Sequence, residues 1–227
     1  MDTSPIVFDL ETAPLPDAVV YLDPVEPDAR LVDPVKIAAS IREKTEAQIS
    51  KCSLDWNVGR IVALGYWTHD LGGVAHLCQT EEDETRELSC FWLHAKHRTL
   101  VGFNIKAFDL PFLIQRSRYL GVAAPGLDLG RYSRSESICD LYHLLTFHDA
   151  PATFAMRRTL TAFCRRFGIP VTYTITGAEV PALVAAGEWE LVRAHCASDV
   201  QLALALARRL GVIPAEVTTP ATEVAQP

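Results

Sequence analysis

The chain has 227 residues, 49 % of them apolar, and carries 21 Lys and Arg against 28 Asp and Glu for a formal charge of −7. That size suits one substantial α/β domain, or one with a large insertion, with enough apolar residues for a single core. No apolar run reaches the roughly 18 residues of a membrane span, and the acidic balance argues against a protein that coats nucleic acid electrostatically. It does not exclude an enzyme acting on nucleic acid, because acids clustered around cations present positive charge to a phosphate.

The N-terminal residues Met1, Asp2, Thr3, Ser4 and Pro5 lack the basic-then-apolar pattern of a secretory signal, so a soluble cytoplasmic protein is expected. The cysteines at 52, 78, 90, 139, 164 and 196 form no CxxC pair and no Cys/His cluster, and read as reduced thiols. Ile6, Val7 and Phe8 open a buried strand that runs into Asp9, Leu10 and Glu11. Residues 13–57 then break the rhythm, with five prolines between Pro14 and Pro34 and a helical pattern over 34–53. Ile37, Ile41, Thr45 and Ile49 or Gln48 fall on one helical face, and the segment is expected to be an insertion packed on the domain.

A strand is predicted over 60–67, then a turn at Gly72 and Gly73 into a strand over 74–78. An amphipathic helix over 81–96 leads to a strand over 99–103 and a helix over 108–120. A last strand is expected at 137–141, with helices over 154–167, 179–186 and 188–210. Residues 214–227 are polar, with Pro and Thr, and read as a disordered tail. The order implies a mixed sheet, antiparallel among the early strands and parallel among the later ones, flanked by helices.

Three short pieces carry chemistry. Asp9 and Glu11, two apart on a strand, share one face, and would raise each other's pKa unless a hard cation such as Mg²⁺ or Mn²⁺ lay between them; a hydrated strand end is the plain alternative. Asp109 follows a short strand and loop, and as an ordinary residue it would N-cap the helix whose first turn contains Pro111. His195 and Asp199, four apart on a helix, share a face, as many surface hydrogen-bonded pairs do.

Together the pieces are more specific than any one alone. FDLET at 8–12, N-x-x-x-FD-x-PFL at 104–113 and H-x-x-x-D-V at 195–200 resemble, in order and spacing, the DEDD superfamily of 3′–5′ exonucleases with a ribonuclease H-like fold. The resemblance runs from about residue 5 to residue 210 without the insertion, and is closest to stand-alone relatives of the exonuclease domain of family B DNA polymerases. Asp140-Leu141, Gly168-Ile169 and Gly177 before Val180 fit that subgroup's connecting pattern. One departure stands out. Tyrosine lies four residues before the last aspartate in one branch and histidine five before it in the other, whereas His195 lies four before Asp199.

The resemblance implies a mixed five-stranded sheet and two Mg²⁺ or Mn²⁺ ions about 4 Å apart. Asp9 would bridge both ions, Glu11 and Asp199 would complete one site, and Asp109 would hold the second. His195 would act as general base, and nucleoside 5′-monophosphates would leave from a free 3′ end. Phe8, Leu10, Thr12, Asn104 and Phe108 are the expected substrate contacts, although alternation turns Leu10 away from the two acids. Lys36, Arg42, Lys44 and Lys51 in the insertion are interleaved with Glu43 and Glu46, which favours a solvated face. Single-stranded DNA 3′ ends are the expected substrate, with RNA, or a non-catalytic nucleic-acid-binding role, as alternatives. A proofreading role would need a polymerase or recombination partner.

Overall fold

The computed structural model describes residues 4–130, 137–147 and 158–215. Strand β1 (Ile6–Pro14) lies at the centre of a five-stranded sheet of order β3-β2-β1-β4-β5. β2 (Gly59–Thr68) pairs antiparallel with β1 and with β3 (Gly72–Leu77), while β4 (Leu100–Gly102) and β5 (Ile138–Asp140) continue the sheet in parallel. This is the mixed sheet expected from the strand order.

Alternation along β1 divides the core. Ile6, Phe8 and Leu10 face α2 (Glu81–Ala95) and α3 (Asp109–Tyr119), packing with Leu88, Phe91, Leu110 and Phe112. Phe8, Phe91 and Phe112 are fully buried, each contributing on the order of 2–3 kcal/mol by area. A buried ion pair, Arg116 Nε to Glu84 Oε1 at 2.8 Å, ties α3 to α2, and the same oxygen accepts from the Ile61 N–H at 2.9 Å. α2 starts at a capping box between Thr80 and Asp83.

Val7 points to the opposite face, with Val101, α5 (Leu160–Arg166) and α7 (Trp189–Arg209). α6 (Val180–Ala186) covers the end of β1 through Val180 against Ala13. Between β1 and β2 in the chain, α1 (Pro34–Lys51) stands in the inserted segment with its Ile37, Ile41, Thr45 and Ile49 stripe half-buried and no residue fully buried.

Several boundaries differ from the sequence reading. β1 continues to Pro14, so the insertion starts later than residue 13, and residues 52–54 form a 3₁₀ turn instead of the end of α1. Gly72 and Gly73 belong to β3, the turn lying at 69–71. The helix read over 154–167 is α5, Leu160–Arg166, with 154–157 outside the described residues. The short α4 (Leu141–Leu145) was not foreseen. The tail read as disordered lies, from residue 216, outside the described residues.

Candidate active site

β1 and β4 pair only through Ile6 and Val7. Beyond that point β4 turns away, and Asp9 and Glu11 lie along the opened edge on the α7 face of β1. A Cβ on Gly102, where β4 leaves, would lie 2.7 Å from the Phe8 carbonyl oxygen, so the tight departure needs glycine. On the other side of β1, Glu11 pairs with Ala63 and Thr12 with Ile61, so that a bulge falls beside the acids.

α7 reaches this edge because β2 has a glycine opposite Asp9. A Cβ on Gly65 would meet Val200 Cγ2 at 2.8 Å and Cys196 Sγ at 2.9 Å. With α7 pressed onto the sheet, the Cys196 thiol donates to the Asp9 carbonyl at 3.7 Å. The residues flanking Cys196 then follow from helix geometry: His195 and Asp199, one turn apart, face β1. His195 Nε2 lies 3.3 Å from Glu11 Oε1, and one ligand atom each from Glu11, His195 and Asp199 lie within 4.8 Å of one another.

Asp109 enters from a third direction, as the first residue of α3. Phe108 occupies the N-cap position and makes no side-chain cap bond, so Asp109 is not the N-cap suggested by its sequence context. Its buried carboxylate instead accepts from its own N–H and from the Leu10 N–H, which ties it to β1.

Negative charge accumulates here. Burial raises the pKa of Asp9 far above its ordinary value, and Asp109, Glu11 and Asp199 each push it further. Glu11 is raised by burial, then by Asp199 and Asp109. Burial, with a contribution from Asp140, brings Asp109 up to about 7 against the two backbone donors, and burial brings Asp199 up to about 6. Burial lowers the pKa of His195, with Glu179 opposing, so the imidazole is neutral near pH 7. Its ring stacks on Tyr173 (centroids 5.9 Å apart, planes 14° apart), whose hydroxyl donates to the Leu191 carbonyl. Nδ1 is buried and has no hydrogen-bond partner among the described residues.

The acids lie in a cleft of about 2290 Å³, bounded by the end of α1, by α6, and by Phe103, Tyr142 and Phe147 on the far side. Of the expected substrate contacts, Asn104 and Phe108 line this cleft and are half-buried. Thr12 also lines it, but its hydroxyl donates to the Ser53 carbonyl, anchoring the insertion. Leu10 reaches the cleft wall while packing into the α2–α3 core. The expectation for Phe8 is corrected: it has no exposed surface and does not line the cleft, because alternation sends it into the core beside Phe91. Sequence reading missed Tyr173 and Gly65; a glycine inside an otherwise strong strand is the one available signal, since it marks close backbone approach.

Fold and site define a class: an α/β protein with an acid cluster where the central strand of a mixed sheet loses its parallel neighbour. The chain belongs to the family described as predicted 3′–5′ exonucleases related to the exonuclease domain of PolB, whose sequence model matches residues 54–221. That match includes Asp109, His195 and Asp199, whereas Asp9 and Glu11 lie before it. The fold is also that of a region of the family B DNA polymerase from the hyperthermophilic archaeon Pyrobaculum calidifontis, at 20 % identity and a TM-score of 0.57. The alignment covers 90 % of this chain and 24 % of the polymerase. No curated protein matches the chain. Among the described residues no helix is long and apolar enough to cross a membrane.

Proposed function

We propose that the chain is a divalent-metal-dependent 3′–5′ exonuclease that removes nucleoside 5′-monophosphates from single-stranded DNA 3′ ends. The observation that carries this reading is the convergence of four carboxylates from β1, α3 and α7, each with its pKa raised by burial and three of them raised further by their neighbours. Such a cluster is costly to ionise unless hard cations compensate it, and oxygen ligands are what Mg²⁺ and Mn²⁺ take. Asp9 feels the charge of all three other acids, which suits a shared ligand; Glu11, Asp199 and Asp109 are the further carboxylates that would hold the ions. Ions held by these residues would supply charge stabilisation for a displacement at phosphorus.

The remaining work falls to the protein's own groups. His195 is neutral and buried, and its Nε2 is the nitrogen that faces Glu11. A base role requires the lone pair on Nε2 and the proton on Nδ1, and the Tyr173 stack fixes the ring plane in which that lone pair lies. Asn104 and Phe108 line the cleft near Asp109 and would hold the terminal nucleotide by hydrogen bonding and stacking.

The test is a time course on 3′- and 5′-labelled DNA and RNA with Mn²⁺ or Mg²⁺. Shortening from the 3′ end, abolished in Asp9→Ala, is expected. Activity that survives Asp9→Ala unchanged sinks the proposal, and faster decay of RNA than of DNA reassigns the substrate.

A further inference from the structure

The side of the site that carries Asn104 and Asp109 is a loop, and a single buried carboxylate holds it. Asp140, the last residue of β5, is 4 % exposed and pairs across the sheet with Gly102, the residue at which β4 turns away. Its Oδ1 accepts from the Asn104 N–H at 2.9 Å, the Tyr142 N–H at 3.0 Å and the His143 N–H at 3.4 Å; its Oδ2 accepts from the Lys106 N–H at 2.9 Å. Two of these donors belong to the loop and two to the first turn of α4. Asn104 adopts a left-handed φ of 63°, a region that asparagine enters more readily than other non-glycine residues.

We propose that Asp140 is a positioning residue for the reaction: its carboxylate fixes the backbone of residues 104–106, and through it the approach of Asn104 and Asp109 to the acids on β1. This rests on the exonuclease reading above. The competing explanation is that Asp140 only N-caps α4. The two separate in Asp140→Asn. The amide oxygen can keep the three bonds made by Oδ1, including the cap of α4, but the amide nitrogen then faces the Lys106 N–H, donor against donor, and the loop loses its anchor there.

The experiment compares wild type, Asp140→Asn and Thr80→Ala, the last removing the remote cap of α2 as a control for loss of stability alone. In Asp140→Asn the amides of residues 105–109 are expected to exchange with deuterium at least about tenfold faster, while Tyr142 and His143 keep their protection. kcat on a labelled 3′ end is expected to fall by about 10–100-fold, the scale seen when groups behind metal ligands are lost. Unchanged exchange at 105–109 overturns the proposal whatever the activity. So does faster exchange with full kcat, or an equal kcat loss in Thr80→Ala. If wild type degrades neither DNA nor RNA, the exonuclease reading falls by itself. Mn²⁺ calorimetry then decides for Asp140, because affinity equal in wild type and Asp140→Asn overturns it and weakening supports it.

Discussion

The two sides of the cleft are built differently. On one side Asp9, Glu11, His195 and Asp199 stand on a central strand and a 21-residue helix, held together by sheet hydrogen bonds and by the close seat of α7 over Gly65. On the other side Asn104 hangs on an irregular loop and Asp109 on the first residue of a helix, anchored by Asp140 and by the Leu10 N–H. A site on regular elements is fixed by packing, whereas a site on a loop depends on a few polar bonds. Substitutions on the strand–helix side should therefore remove chemistry outright, and those behind the loop should detune it.

The largest effect is expected at Asp9, the acid coupled to the other three. Asp9→Ala should lower kcat by at least about 10³-fold, the scale of losing one group that stabilises transition-state charge, with the fold intact by circular dichroism. A loss comparable to that of Asp140→Asn would erase the contrast between the two sides. His195→Ala follows, at about 10²–10⁴-fold for a general base. Because burial lowers its pKa, the rising limb of the pH–rate profile should lie below the ordinary histidine value and vanish in the variant. A profile unmoved by His195→Ala removes the base role and leaves the acids untouched.

Next comes the packing that presents the helix. Gly65→Ala places a methyl group within 3 Å of Cys196 and Val200, so α7 has to shift or the strand has to bend. Overpacking of that kind costs about 1–3 kcal/mol, measurable in thermal unfolding, and it should lower activity because His195 and Asp199 ride on α7. Full activity with lowered stability would mean that the helix can move without disturbing the acids.

The same contrast explains what was legible in the sequence. The elements on the strand–helix side announce themselves by period: alternation from Ile6 to Glu11 puts both acids on one face, and the four-residue step from His195 to Asp199 does the same on a helix. Strand order and the mixed sheet followed from the same patterns. The loop side does not announce itself. Asp109 looked like an N-cap because a helix begins there, yet Phe108 holds that position, and only the fold brings the Leu10 N–H to its carboxylate. Asp140 lies 31 residues further along the chain, and nothing local marks it as the acceptor for Asn104 and Lys106. Phe8 was misread because a motif places it beside the acids in sequence while alternation places it on the opposite face.

Finally, both sides converge electrostatically, and that convergence has a signature without any substrate. Asp109 and Asp199 have folded pKa values of about 7 and about 6, and Asp9 and Glu11 are raised as well. Unfolded carboxylates titrate near about 4. Between those values the metal-free folded chain holds more protons than the unfolded one, so stability falls as pH rises. The contribution is complete below about pH 4 and is lost as pH passes through about 6 and then about 7. His195, whose pKa is lowered, acts in the opposite sense, but it is one group against four. The melting temperature in chelator should therefore drop between pH 5 and pH 8, and Mn²⁺ should restore it with release of protons. Asp109→Asn cannot ionise, and at pH 8 in chelator it should melt about 2–8 °C above wild type, corresponding to about 1–2 kcal/mol. That gain should shrink toward pH 5, where the wild-type carboxyl is already neutral. A flat pH profile in chelator, or a variant no more stable than wild type at pH 8, would show that the acids on the two sides do not share one field.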